Sequence, residues 1–204
     1  MSDLEAIAQE IAACQRCELA KSRNLTVPGE GNRNAEIMFI GEAPGWHENQ
    51  QGKPFVGPAG QFLAELLASI ELKRTDVFIA NVVKCRPPQN RDPLPEEIAS
   101  CSDYLERQIG VIRPKLIVTL GRYSMAKFFS PGRGIRELHG TTCIKGGILC
   151  YAMYHPAAAL HQPGLKKTLE QDMLRIPKLL GVAASMDVAS EQPREEPPAQ
   201  LSLF

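Results

Sequence analysis

Residues 35–45 read AEIMFIGEAPG, and this stretch joins a buried strand to a loop of small residues. The apolar run Ala35–Ile40 has the length and composition of a strand that is covered on both faces. The strand ends at Gly41, and Pro44 and Gly45 complete a turn whose backbone N–H groups can closely approach a flat ligand. Because a tight turn without a ligand has the same composition, the motif predicts a strand but not yet a function.

On either side of this stretch, short apolar strands alternate with amphipathic helices. Further strands and a last helix are predicted at Val77–Val83, Leu116–Leu120, Ile148–Tyr154 and Leu165–Leu180. The alternation predicts an α/β fold, a three-layer α/β/α sandwich with a mostly parallel central sheet. Ligands bind beyond the carboxyl ends of such strands, so we expect the loops that begin at Gly41, near Lys84 and at His155 to meet at one pocket.

The composition indicates one domain of ordinary size. The chain has 204 residues and a formal net charge of zero, and it lacks the run of roughly 18 apolar residues that spans a membrane. We predict a soluble, cytoplasmic monomer without a membrane partner. Its domain is expected over residues 1–182, and a disordered tail rich in Ala, Ser, Glu and Pro over 183–204. The tail is acidic, so the domain is mildly basic, and any contact with DNA would come from local patches.

Four of the six cysteines have the spacing of metal ligands. Cys14 and Cys17 form a CxxC pair near the start of the chain, and Cys85 and Cys101 form a widely spaced second pair. Four thiolates suit either zinc or a [4Fe–4S] cluster, and the wide second spacing favours the cluster. Four unrelated buried cysteines are the alternative interpretation.

Three more residues are candidate ligand contacts in the expected pocket. Phe55 lies in a loop rich in Pro and Gly, where an aromatic ring is more typical of stacking on a ligand than of filling a core. Asn81 ends an otherwise apolar strand, and its amide can both donate and accept along the edge of a base. A structural cap of the next loop is the alternative for Asn81. His155 precedes Pro156, and a lone histidine there is by default a turn residue.

Together these motifs resemble those of the iron–sulfur uracil-DNA glycosylases of family 4. The resemblance covers about residues 1–180 and is carried by CQRC at 14–17, GEAPG at 41–45, GKPFVGPAGQFL at 52–63, NVVKCRPPQNRDPLPEE at 81–97, the helix of Cys101, and YHPAA at 154–158. It implies an enzyme that flips uracil out of DNA and hydrolyses the N-glycosidic bond, leaving an abasic site for base excision repair. It also implies a structural [4Fe–4S] cluster on Cys14, Cys17, Cys85 and Cys101 rather than zinc.

The resemblance assigns roles to the pocket residues. Phe55 would stack on the flipped base, and Asn81 would read the O4 and N3–H edge of uracil and so reject cytosine. The amides near Glu42 and Ala43, together with the imidazole of His155, would bind O2, where negative charge grows as the glycosidic bond breaks. Glu42 would also stabilise the cationic sugar or position the attacking water.

Further roles at the rim follow from the same resemblance. Glu48 would crowd the C5 edge of uracil and so exclude the methyl group of thymine. Three cations, Lys84, Arg86 and Arg91, would face DNA phosphates. Leu160 would fill the gap that the flipped nucleotide leaves in the base stack.

The chain departs from the family pattern at two places. Ala43 stands where better-known uracil glycosylases carry a water-activating aspartate, and Trp46 and His47 stand where acids are more usual in the family.

The alternative function is a non-hydrolytic or covalent uracil-DNA binder of the same superfamily, but the segment 84–101 lacks the basic insertion that such relatives use. An electron-transfer protein or a DNA-binding scaffold would not need the polar pocket residues.

The last five residues resemble the pentapeptide by which bacterial repair proteins bind the sliding clamp. The residues are Gln200, Leu201, Ser202, Leu203 and Phe204. Gln200 would anchor one end, while Leu201, Leu203 and Phe204 would enter an apolar cleft, so that the tail tethers the enzyme beside DNA. This would place the protein in a bacterial cytoplasm, associated with the nucleoid. An incidental C-terminus, or a strand folded back on the domain, is the alternative.

Overall fold

The structure, a computed structural model, describes residues 3–191, with side chains described as far as Met186. In this range the strands are β1 (Glu30–Gly31), β2 (Ile37–Gly41), β3 (Phe78–Asn81), β4 (Leu116–Leu120), β5 (Thr142–Lys145) and β6 (Ile148–Met153). The helices are α1 (Asp3–Ala13), α2 (Leu19–Ser22), α3 (Trp46–Gln51), α4 (Pro58–Ala68), α5 (Pro95–Ile112), α6 (Arg122–Phe128), α7 (Ile135–Leu138), α8 (Pro156–His161), α9 (Gly164–Met173) and α10 (Ile176–Glu191).

The strands form one sheet in the order β1-β3-β2-β4-β6-β5. Its four central strands are parallel to one another, and the edge strands β1 and β5 pair antiparallel to their neighbours. In the register of the central pairs, Phe39 of β2 lies opposite Ile79 on one side and Val118 on the other. The carboxyl ends of parallel strands meet at one edge of a sheet, and β2 and β3 end there side by side, with Gly41 opposite Asn81.

Both faces of the sheet are covered by helices, which explains why the strands are almost continuously apolar. Alternate residues of a strand point to opposite faces, so Phe39 joins one core with Leu63 of α4 and Leu169 of α9. Its neighbour Met38 joins the other core with Leu105 of α5. Helices therefore pack on either side of one sheet, and the predicted three-layer α/β/α sandwich is confirmed.

The predicted last helix, Leu165–Leu180, is two helices in the structure. Helix α9 ends at Met173, and α10 begins at Ile176. The cause is Pro177, which lacks an N–H group and whose ring would collide with the carbonyl of Met173 four residues earlier in a continuous helix. The apolar periodicity of the sequence continues across this break, so periodicity alone predicted one helix.

The domain boundary predicted after residue 182 also differs from the structure, because α10 runs on to Glu191. Ala183 is 3% exposed and packs on the core that contains Leu169 and Met173, and Met186 packs beside them. A composition rich in Ala and Glu predicts disorder when it lacks apolar residues, but alanine and glutamate are also strong helix formers. The remainder of the predicted tail, residues 192–204, lies outside the described residues. No helix between residues 3 and 191 is long and apolar enough to cross a membrane.

Candidate active site

A cavity of about 350 Å³ opens where the parallel strands end. The loop after β2 lines it with Glu42 and Ala43, β3 contributes its last residue, Asn81, and the segment after β6 contributes His155. Phe55, from the loop that precedes α4, forms another part of the wall. Residues that are far apart in the sequence thus line one pocket, as the order of strands and loops predicted.

The ring of Phe55 is held over the cavity by its backbone and stacks on His155. The two ring centroids are 5.4 Å apart, and the ring planes differ by 23°. Phe55 has a φ of 52°, which costs a residue with a side chain roughly 1–2 kcal/mol. Arg74 Nη1 donates to the Phe55 carbonyl at 2.9 Å, and a Cβ on Gly60 would lie 1.9 Å from that oxygen. Arg74 and Gly60 therefore support the stacking residue, a role that the sequence motifs did not predict for them.

Asn81 presents a buried amide oxygen that has no partner. The residue is 1% exposed, and among the described residues its Oδ1 accepts no hydrogen bond. A Cβ on Gly41 would lie 2.4 Å from this oxygen, so only glycine leaves room for the amide there. An unpaired buried acceptor costs about 1–3 kcal/mol, and a donor on a bound ligand would recover that cost. Because Oδ1 accepts no hydrogen bond from the next loop, the alternative interpretation of Asn81 as a structural cap is not supported through this oxygen.

His155 faces the cavity as a neutral imidazole with a defined proton position. Its Nδ1 accepts the Ala157 backbone N–H at 3.1 Å, as the N-cap of α8. Burial lowers the pKa of His155 to about 4, although the nearby Glu48 carboxylate opposes this shift. Because Nδ1 is an acceptor and the ring is neutral, the proton resides on Nε2. His155 is therefore more than a turn residue: it offers one N–H donor near neutral pH.

The carboxylate of Glu42 lies deep at the side of the cavity, against the start of α6. Its Oε1 accepts the Tyr123 backbone N–H at 3.2 Å. Burial raises the pKa of Glu42, against the opposing effects of the Tyr123 N–H and the Arg122 charge. A Cβ on Gly121, whose φ is 93°, would lie 2.4 Å from Oε1. Gly121 thus makes room for the carboxylate, and the Gly121-Arg122-Tyr123 turn is part of the site that sequence reasoning missed.

Glu48 lines the cavity but is engaged with the backbone. One oxygen accepts the Val56 and Gly57 N–H groups at 2.8 and 2.9 Å, and the other accepts the Gly45 N–H at 3.1 Å. The carboxylate therefore ties the loop after β2 to the loop that carries Phe55. Its predicted role in excluding thymine stays a prediction, and this loop-holding role is an addition to it.

The predicted contact between Lys84 and DNA phosphates is wrong. Lys84 is 1% exposed, and its Nζ donates to the Asn81 carbonyl at 2.9 Å and to Gln108 Oε1 at 2.7 Å. Gln108 in turn donates to the Pro28 carbonyl at 2.8 Å. The side chain points inward because α5 supplies it with an acceptor, so Lys84 braces the end of β3 rather than facing solvent.

The other residues predicted to contact DNA lie in accessible positions. Arg91 lines the cavity and holds Glu97 through two hydrogen bonds, at 2.9 and 2.6 Å. Arg86 donates to Asn90 Oδ1 at 2.7 Å on the same loop. Leu160, in α8, is 50% exposed. Their accessibility is compatible with DNA contact, which stays a prediction.

The four cysteines with ligand spacing are free thiols in one region of the fold. Cys85 and Cys101 are both 5% exposed. Burial raises the pKa of Cys101 to about 11, with smaller contributions from Cys85 and Cys17. Burial also raises the pKa of Cys85, to which Cys17 and Cys14 add. The four thiols are thus close enough to affect one another. Within the part of the chain that the structure describes, however, no group of three or more His, Cys, Asp or Glu side chains has the arrangement of a metal site.

Comparison with known proteins defines the class to which this fold and pocket belong. A family model described as the uracil DNA glycosylase superfamily matches residues 28–175. This range contains every strand of the sheet and all of the cavity residues described above.

Curated relatives narrow the assignment. The chain is 47% identical over 193 residues to a type-4 uracil-DNA glycosylase of Archaeoglobus fulgidus, an alignment that covers 89% of this chain and 95% of the relative. It is 51% identical over 190 residues to one of Saccharolobus solfataricus, covering 88% of each chain. A third, of Sulfurisphaera tokodaii, is 48% identical over 188 residues, covering 88% of this chain and 86% of the relative. The chain belongs to the type-4 uracil-DNA glycosylases.

Proposed function

We propose that this uracil-DNA glycosylase recognises its flipped base mainly through the unpaired Oδ1 of Asn81. This buried oxygen is the observation that carries the proposal. Uracil bears an N3–H group, which would donate to Oδ1, and O4, which would accept from the Asn81 side-chain N–H. Cytosine presents an unprotonated N3 and an amino group along the same edge, so both contacts would be lost. Phe55 would lie against the face of the base.

Bond cleavage would then use the charges that line the cavity. As the bond between C1′ and N1 breaks, its electron pair leaves with uracil and negative charge grows on O2. The Nε2–H of neutral His155 and the amides near Glu42 and Ala43 would stabilise that charge, a contribution of about 3–4 kcal/mol for one well-placed donor. Water would add to C1′ and lose a proton, and the departing uracil anion would gain one from solvent, so that neutral uracil is released. The Glu42 carboxylate would stabilise the cationic sugar or hold this water.

The test is the release of free base from matched single-stranded oligonucleotides that carry uracil, cytosine or thymine at one position. The wild-type chain should release uracil only. Asn81→Asp should lower uracil release, because a carboxylate replaces the amide donor with an acceptor, and should reduce the preference for uracil over cytosine. Release of no base by the wild-type chain would refute the function, and an unchanged preference in Asn81→Asp would refute the role of the amide.

We further propose that Cys14, Cys17, Cys85 and Cys101 hold a [4Fe–4S] cluster. The type-4 assignment supports this, as do the four thiols that share one region of the fold. Four thiolates are a suitable donor set for such a cluster, and iron binding would displace the protons of the thiols. Its role would be to hold α1, the loop after β3 and α5 together.

Anaerobically purified protein should contain about four irons per chain and absorb visible light. The variant Cys101→Ser should lose the absorbance, whereas Cys143→Ser, outside the set of four, should keep it. A colourless protein with bound zinc would refute the cluster.

We also propose that the C-terminal QLSLF, residues 200–204, binds a bacterial sliding clamp. These residues lie outside the described part of the chain, so the proposal rests on the sequence resemblance and on the value of tethering a repair enzyme near DNA. A clamp pull-down should retain the full chain but not a chain truncated after Ala199. Equal retention of both chains, or of neither, would refute the proposal and leave the glycosylase assignment unaffected.

A further inference from the structure

Trp46 is an exposed aromatic residue that directly follows two residues lining the proposed uracil pocket. It is the single tryptophan of the chain and is 53% exposed, which is unusual for so large an apolar ring. It is the first residue of α3 and directly follows Pro44 and Gly45, both of which line the cavity. No contact described for the pocket uses its ring.

The ring of Trp46 has a defined orientation. It packs edge to face against His47, with the ring centroids 5.0 Å apart and the planes 88° apart. His47 is itself close to Gly57, where an added Cβ would lie 3.0 Å from the His47 ring. Gly57 belongs to the loop that Glu48 ties to the pocket. The indole therefore packs against a residue that contacts the pocket loop, and this contact restricts its motion and lowers the entropy lost on binding.

Two other exposed apolar residues are next in sequence to residues that line the same cavity. Leu160 is 50% exposed and precedes His161, which lines the cavity, and Leu94 is 41% exposed and follows Pro93, which also lines it. Exposed apolar residues thus adjoin cavity residues in the sequence on three separate segments of the chain. Arg91 adds a cation at the same place.

We propose that Trp46 stacks on a nucleobase next to the flipped uracil, in the strand that carries it. This inference rests on the proposed flipping of uracil into the cavity, because the adjacent nucleotides must then lie over its mouth. Flipping leaves the neighbouring bases without a stacking partner, and an indole ring is a suitable replacement for any of them. A base of the substrate strand is the occupant to expect, because that strand must pass over the opening whenever uracil enters the cavity.

The test combines a change in the protein with a change in the DNA. Single-stranded oligonucleotides would carry a non-hydrolysable 2′-fluoroarabino-uridine, flanked either by normal nucleotides or by abasic residues. Wild-type protein should bind the base-flanked oligonucleotide roughly tenfold more tightly than the abasic-flanked one. Trp46→Leu, which keeps apolar bulk but loses the aromatic face, should lose most of this difference and keep only the part that Leu160 contributes. Trp46→Phe should recover most of it. Leu174→Ala, at another exposed apolar position, is the matched control and should behave as wild type.

Because Trp46 is the only tryptophan, its fluorescence reports the contact directly in the full chain. It should be quenched by the base-flanked oligonucleotide and not by the abasic-flanked one. Unchanged fluorescence at saturation, or equal affinity of the wild type and Trp46→Leu, would overturn the proposal. Loss of self-association in Trp46→Leu with unchanged DNA affinity would also overturn it, in favour of an interface between copies. Failure of the wild type to release uracil from an ordinary oligonucleotide would instead refute the proposed function.

Discussion

His155 combines two roles that depend on different ring nitrogens. Nδ1 caps α8 through the Ala157 N–H, and this leaves Nε2–H to face the cavity. Replacement by alanine should lower the single-turnover rate of uracil release by roughly 10²–10³-fold, because a donor to the developing charge is lost. The affinity for uracil-containing DNA should change little. Quenched-flow excision and equilibrium binding on the same substrate would check this, and a full rate in His155→Ala would exclude the O2 contact.

The lowered pKa of His155 also predicts how its contribution to stability varies with pH. The folded-state pKa of about 4 lies below the ordinary value of roughly 6.5. As the pH falls from 6.5 towards 4, the unfolded chain binds a proton that the folded chain does not. The free energy of unfolding should therefore fall in this range, by up to about 3 kcal/mol. Urea unfolding of the wild type and His155→Gln at pH 7 and pH 5 would show a smaller fall in the variant.

Glu42 should set a lower pH limit for excision. Its pKa is raised by burial, and its proposed role needs the carboxylate. The rate should therefore decline as the pH falls through a value above the ordinary 4.5 for this group. Glu42→Gln should be slow at every pH and should lack this part of the profile. A Glu42→Gln enzyme with the wild-type rate and profile would remove Glu42 from the mechanism.

At the scale of single elements, the end of β3 is braced from inside by Lys84 and Gln108. Lys84→Met should lower the melting temperature, because the Asn81 carbonyl and Gln108 Oε1 lose their donor, but it should leave the salt dependence of DNA binding unchanged. Arg86→Met, on the exposed loop that follows, should reduce the slope of log K against log salt by roughly one. Fluorescence anisotropy at several salt concentrations would measure both. A reduced slope in Lys84→Met would restore the phosphate contact that the structure contradicts.

Helix α10 extends the domain beyond the expected boundary, and truncation tests this. Removal of residues 183–204 takes away Ala183 and Met186, which pack on the core. Removal of 192–204 leaves both in place. The shorter chain should therefore unfold at a lower temperature, with a loss of roughly 1–3 kcal/mol for the apolar surface exposed. Equal melting temperatures for the two truncated chains would indicate that α10 contributes nothing to the domain.

For the molecule as a whole, the sequence predicted those features that depend on local patterns of residues. Each parallel strand is a buried apolar run, and each is followed by a recognisable loop, so the sheet and the meeting of Glu42, Asn81 and His155 could be foreseen. The inward direction of the Lys84 side chain could not be foreseen. A lysine that follows a strand is ordinarily exposed, and only the packing of α5 supplies this one with a buried acceptor. The hydrogen bond from Arg74 to the Phe55 carbonyl could not be foreseen either, because the two residues are nineteen positions apart and no sequence motif connects them.

The order of strands in the sheet has a consequence for synthesis on the ribosome. β6 is the last strand within residues 3–191, yet it lies inside the sheet, between β4 and β5. A nascent chain that ends before residue 148 already contains Glu42, Phe55 and Asn81 but has neither β6 nor His155. The cavity is therefore completed only when the segment that begins with β6 has emerged and inserted. Fragments left by interrupted translation would carry the residues proposed to read the base but would lack His155, and we expect them to create no abasic sites.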